Sequence, residues 1–224
     1  MAINTVSVIG LGYIGLPSAV MLASKGKSVL GVDLKQEVVD SLNSGKAHIE
    51  EPLLQELLSD VLTKGNFSAS LKLKSSDVFL IAVPTPLVND QNKDYPKPDL
   101  SYIREACHSI AKVLKKGDLV ILESTSPVGT TELVSEWLSE ERKDLNFPNE
   151  DSPKVDINIA YCPERVLPGN IIEELVKNDR IIGGLSENCT NRAKEFYEIF
   201  VEGECQKTDC RTAEMTKLTE NSFR

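Results

Sequence analysis

Two histidines, no CxxC pair and no surplus of basic residues: the 224-residue sequence is defined first by what it withholds. His48 and His108 stand far apart, so neither a histidine-centred triad nor a metal site is expected from them. The five cysteines (Cys107, Cys162, Cys189, Cys205, Cys210) are odd in number and unpaired in spacing, which reads as reduced, buried thiols rather than a disulfide frame. With 25 Lys and Arg against 34 Asp and Glu, the net charge is -9. That argues against a nucleic-acid partner, which needs basic side chains to displace counterions. No apolar run approaches the roughly 20 residues that span a bilayer, and the run at 78–83 is closed by Pro84 and Pro86. Nor is there a basic segment before the first apolar run, as a secretory signal would have. These absences predict a cytoplasmic chain with no membrane partner.

What is present is globular material, 41% hydrophobic and 26% charged, enough for one sizeable α/β domain or two small ones. Short apolar, β-branched runs at 6–9, 29–32, 78–83, 119–122, 157–161 and 180–183 alternate with helical patterns. Strands without a polar face belong to a parallel sheet covered on both sides, so the fold class is α/β, a doubly wound, mostly parallel sheet. Residues 99–114 read as an amphipathic helix capped by Asp99, striped by Ile103, Ala106, Ile110 and Val113, and stopped at Gly117. Residues 186–200 are similar. The polar, proline-bearing stretches 89–98 and 146–154 read as surface loops. Residues 212–224 have helical spacing with Met215, Leu218 and Ser222 on one side and no stop signal, so that helix is expected to continue past Arg224.

Gly10-Leu11-Gly12-Tyr13-Ile14-Gly15 follows the first strand and opens a helical pattern. In that setting Gly10 permits a tight turn, Gly12 lets a pyrophosphate approach the backbone, and Gly15 allows close packing at a helix N-terminus. Asp33 ends the second strand, where a carboxylate accepts from both ribose hydroxyls and repels a 2′-phosphate. NAD is therefore expected over NADP; the other reading of Asp33 is a helix cap. Thr85, the only hydroxyl in Ala82-Val83-Pro84-Thr85-Pro86, is open between a cofactor contact and an ordinary polar turn residue.

Taken with the Gly10–Pro17 stretch and Val83-Pro84-Thr85-Pro86, the segments 123–129 (ESTSPVG), 162–165 (CPER) and 213–221 (AEMTKLTEN) resemble the UDP-glucose/GDP-mannose dehydrogenase family. The resemblance spans the chain but only the family's N-terminal half. It implies a Rossmann NAD-binding domain over 1–210 and, over 211–224, the start of the central helix through which the family dimerises. The second, UDP-binding domain lies outside it. The wording of 123–129, 161–169 and 217–224 is most similar to members acting on UDP-N-acetylmannosamine.

Such enzymes oxidise a sugar C6 alcohol twice with two NAD, through a thiohemiacetal and a thioester on a cysteine. The resemblance implies catalytic roles for Lys217 (oxyanion stabilisation), Glu164 (thioester hydrolysis), Thr125 (water ordering) and Asn221. It implies substrate contacts from Arg165, Val166, Lys217, Asn221 and Arg224, and NAD contacts from Tyr13, Ile14, Asp33, Thr85 and Thr131. Taken without it, Glu164 would be a surface glutamate and Lys217 a solvated lysine. UDP-glucose enzymes carry a second glutamate where this chain has Pro168, which argues against that substrate. The family's nucleophile sits in a Gly-Gly-x-Cys stretch, a setting none of the five cysteines shares, so the isolated chain is expected to make no NADH. UDP-glucose or UDP-N-acetylglucosamine oxidation and a non-catalytic NAD-binding module are the competing readings.

Overall fold

A computed structural model describes residues 2–88, 96–148 and 155–223. Arg224 and most of the two expected loops lie outside the described residues. The chain runs β1 (Thr5–Ile9), α1 (Gly15–Ser24), β2 (Ser28–Val32), α2 (Gln36–Asn43), α3 (Leu54–Thr63), β3 (Phe67–Ser70) and β4 (Val78–Ile81). A small hairpin, β5 (Leu87–Val88) with β6 (Lys97–Pro98), precedes α4 (Ser101–Ala111), β7 (Leu119–Leu122), α5 (Thr130–Glu141) and β8 (Asn158–Tyr161). Then come α6 (Ile171–Lys177), β9 (Arg180–Gly184), α7 (Glu187–Tyr197), β10 (Cys205–Asp209) and α8 (Cys210–Ser222).

The main sheet has the order β10-β9-β8-β7-β4-β1-β2-β3. The strands from β8 to β3 are all parallel, whereas β9 meets β8 antiparallel, through Ala160↔Gly184 and Tyr161↔Gly183. Both faces are buried, and alternate residues serve each. Val6, Val8, Val78, Leu80, Leu119 and Ile121 join the core under α1, α2, α3, α6 and α7. Ile9, Phe79, Ile81, Val120 and Leu122 join the core under α4, α5 and α8. That explains the unbroken apolar strands.

Four elements differ from their sequence reading. β3 (FSAS) and β10 (CQKTD) are too polar to stand out from sequence and pair as the two edges of the sheet. The strand expected at 78–83 stops at Ile81, where the proline-rich turn leaves the ladder. The helix expected to stop at Gly117 ends at Ala111; Asp99 nevertheless accepts from the Ser101 N–H at its start (2.9 Å). On α8 the side carrying Met215 and Ser222 is exposed and Leu218 is half-buried, while Cys210, Ala213, Glu214 and Lys217 form the buried side.

Candidate functional site

Gly10, Asp33, Thr85, Thr125 and Glu164 all lie just past the C-terminal ends of the parallel strands β1, β2, β4, β7 and β8. The chain reverses its direction of winding between β1 and β4, so a crevice forms at that edge, the usual ligand position in an open parallel sheet.

On the β1 side the glycines do separate work. Gly10 has φ +91° and sits so close to the β4 loop that a Cβ would lie 2.6 Å from the Ala82 carbonyl oxygen. A Cβ on Gly15 would lie 1.8 Å from the Gly10 carbonyl oxygen. A Cβ on Gly12 would meet nothing within 4 Å. The N-terminus of α1, at Ile14, has no side-chain cap and no acidic residue in its first turn. Open space over uncapped N–H groups at the positive end of a helix is a seat for a pyrophosphate. Tyr13 is exposed beside it, and Ile14 packs against the core. Asp33 is oriented by the Leu11 N–H (to Oδ2, 3.0 Å) and the Lys35 N–H (to Oδ1, 3.0 Å). It does not cap α2, which begins beyond Lys35 without a side-chain cap. A carboxylate oxygen accepts more than one bond, so both oxygens remain competent toward ribose hydroxyls. The residues present thus fit NAD.

Further along the edge, the Thr85 hydroxyl donates to the Thr125 carbonyl (2.5 Å) and the Ser124 hydroxyl to the Val83 carbonyl (2.8 Å), tying the β4 and β7 loops together. Thr131 is placed differently. It is fully buried, and both its N–H (2.8 Å) and its hydroxyl (2.6 Å) donate to Glu214 Oε1, while the Gly129 N–H donates to Oε2 (2.6 Å). In this arrangement the Thr131 side chain serves α8 rather than the open crevice.

The loop after β8 is heavily anchored. Lys217 Nζ donates to the Glu164 carbonyl (2.6 Å), and Arg165 Nε pairs with Glu220 of α8 (3.2 Å). Glu174 accepts from the Leu167 N–H (2.8 Å), and buried Glu51 accepts from the N–H groups of Gly169 (2.9 Å) and Ile171 (2.6 Å). Val166 is buried. Glu164 is no surface glutamate: its carboxylate points inward to a salt bridge with Arg180, and Oε1 accepts from the Arg165 N–H (2.7 Å). Lys217, likewise, is no solvated lysine, whereas Asn221 one turn on is exposed.

Behind Glu164 lies Glu123, also buried, whose Oε1 accepts from the Tyr197 hydroxyl (2.7 Å). Burial and repulsion by Glu164 push its carboxyl up to about 8, against the pull of Arg180 and Tyr197. All five cysteines are buried. Burial raises the thiols of Cys107 and Cys210 to about 12 and those of Cys162 and Cys205 upward as well.

Residues 4–201 match the model for the UDP-glucose/GDP-mannose dehydrogenase family, NAD binding domain. The chain belongs to this family. Like the sequence reading, the match makes NAD the cofactor of this domain. UDP-N-acetyl-D-mannosamine dehydrogenase of Escherichia coli is 55% identical over 224 residues, 100% of this chain and 52% of that protein. NDP-N-acetyl-D-galactosaminuronic acid dehydrogenase of Ralstonia nicotianae is 54% identical over 221 residues, 99% of this chain and 51% of that protein. The solved UDP-N-acetyl-mannosamine dehydrogenase of Staphylococcus aureus superposes with a TM-score of 0.89 at 45% identity, covering 99% of this chain and 51% of that structure. The chain thus spans about half the length of the family relatives it matches. Glu51, Glu123, Arg180 and Glu214 went unassigned in the sequence reading. The signal was there for Arg180 and Glu123, each a charge where an apolar strand begins or ends.

Proposed function

We propose that this chain is the NAD-binding half of a UDP-N-acetyl-D-mannosamine 6-dehydrogenase, which takes the sugar C6 alcohol to the carboxylate while two NAD become two NADH and one water is consumed. The observation that carries this reading is the shared edge, with the open seat at Gly12 and Asp33 at one end and the Lys217–Glu164 contact at the other. NAD, when bound, supplies the hydride acceptor. Asp33 holds the adenosine ribose, and Thr85 and Tyr13 line the approach to the nicotinamide. Lys217, a buried ammonium braced on a carbonyl, stabilises negative charge developing on the substrate oxygen. Thr125 and Glu164 order the hydrolytic water, and Arg165, Val166, Asn221 and Arg224 contact the UDP-sugar. Thr131 reaches the cofactor only if Glu214 releases it.

All five thiols are buried, and burial raises those of Cys107, Cys162, Cys205 and Cys210; enclosed thiols are poor nucleophiles, so the acyl-accepting cysteine belongs to a part of the protein other than these residues. The isolated chain therefore binds NAD and makes no NADH with any UDP-sugar. A polypeptide of the relatives' full length carrying these residues oxidises UDP-N-acetylmannosamine. Because a relative named for the galacto-configured sugar is 54% identical, the assay includes UDP-N-acetylgalactosamine. NADH absorbance decides both points: turnover by the isolated chain defeats the first, and faster turnover of the galacto or gluco sugar defeats the substrate assignment. We further propose a cytoplasmic homodimer assembled along the exposed face of α8.

A further inference from the structure

The antiparallel register of β8 and β9 pairs Ala160 with Gly184 and Tyr161 with Gly183; continued outward, it brings position 164 opposite position 180. There the Arg180 guanidinium, only 1% exposed, forms its salt bridge with the Glu164 carboxylate. Its second terminal nitrogen donates to the Leu175 carbonyl (3.1 Å), and its plane lies over the Tyr197 ring, 5.5 Å from the centroid. Two atoms in this enclosure lack hydrogen-bond partners, Arg180 Nε and Glu123 Oε2. An arginine buried purely for stability is poor economy, because an apolar side chain of similar volume does as well or better. All three oxygens of Glu164 are meanwhile engaged: Oε1 by the Arg165 N–H, Oε2 by Arg180, and the carbonyl by Lys217.

We propose that Arg180 is a positioning residue for Glu164, itself seated between Glu123 and Tyr197, and that it fixes both the orientation and the ionisation of the Glu164 carboxylate at the reaction edge. The inference rests on the reading of Glu164 as part of that site. Among the described residues, the groups around the carboxylate come from several elements: Glu123 at the end of β7, Cys162 and the Arg165 N–H after β8, Arg180 on β9, Tyr197 on α7 and, on the main-chain side, Lys217 on α8. Among the described residues, Arg180 is the cation that forms the ion pair with the carboxylate. Two carboxylates against one guanidinium leave one of them protonated; Glu164 holds the ion pair and Glu123 keeps the proton. Without Arg180, the same dry surroundings would favour the neutral carboxyl at position 164, because a buried carboxylate would have lost its paired cation.

The test uses Arg180→Met, which removes the charge, and Arg180→Lys, which restores it without the fork. In this chain both variants should bind NAD within about threefold of the parent, and infrared spectra at neutral pH should show an additional protonated carboxyl in Arg180→Met that Arg180→Lys reduces. In the full-length polypeptide, kcat with Arg180→Met should fall by roughly tenfold or more, with KM for the sugar little changed. The acid limb of its pH profile should move upward, with partial rescue by Arg180→Lys. If Arg180→Met does not fold, Arg180→Lys alone decides, through the upward shift of the acid limb. An unshifted acid limb, or no additional protonated carboxyl, overturns the proposal. A full-length parent that oxidises no UDP-sugar defeats the proposed function, while the infrared comparison in this chain still decides the role of Arg180.

Discussion

At the scale of single residues, the decisive quantity is what each carboxylate faces. Asp33 faces open space at the crevice and is oriented by two backbone N–H groups. Asp33→Ala removes the acceptor for the ribose hydroxyls, and a hydrogen bond to a charged group is worth about 1.5–3 kcal/mol. NAD affinity should drop roughly tenfold or more, read by calorimetry, while the chain stays folded; an unchanged Kd would remove Asp33 from the site. Glu123 faces the interior. Unfolded, its carboxyl has the ordinary value of 4.5, and in the fold burial pushes it up to about 8, so between those values the folded chain keeps a proton that the unfolded chain has lost. Its contribution is complete below the unfolded pKa and is lost as pH rises through the folded one. Denaturant titrations should therefore show the parent losing stability between about pH 5 and 8 more steeply than Glu123→Gln. Parallel pH dependences would show that Glu123 is ionised in the fold.

At the scale of elements, α8 shows how a charged face can be the inner one. Glu214 satisfies three donors at the start of α5 and so fixes the rotation of α8; Lys217, nearly one turn on, then meets the Glu164 carbonyl. Glu214→Ala leaves buried N–H groups without an acceptor and should cost about 3 kcal/mol of unfolding free energy in urea titration. A loss below about 0.5 kcal/mol would mean that α8 does not depend on this contact. Glu51 plays the same part for the loop after β8. Glu51→Ala should speed hydrogen exchange at Gly169 and Ile171 before the rest of the sheet, and uniform exchange would contradict the anchor. Neither carboxylate could be assigned from sequence, because a glutamate, on a helix like Glu214 or before one like Glu51, has the same local pattern whether it faces water or another helix's N-terminus.

At the scale of the whole molecule, α8 presents Met215 and Phe223 to solvent beside Val128, an apolar strip on an otherwise acidic chain. If this strip is the dimer face, light scattering should show mass rising with concentration, and Met215→Lys with Phe223→Ser should abolish the rise; concentration-independent mass in the parent would place the dimer contact elsewhere. The parallel, doubly covered sheet, the glycine-rich turn and Asp33 were legible in the sequence because each rests on a local requirement: unbroken apolar runs, a turn that tolerates no side chain, and a carboxylate at a strand end. Those features determine that the chain is a nucleotide-binding α/β domain. Which carboxylates hold loops, which one keeps a proton, and which face of α8 turns inward were decided only by the tertiary structure. They depend on groups as much as 120 residues apart meeting in a dry interior, where an unpaired charge is too costly to remain and the partner, not the local pattern, sets the role.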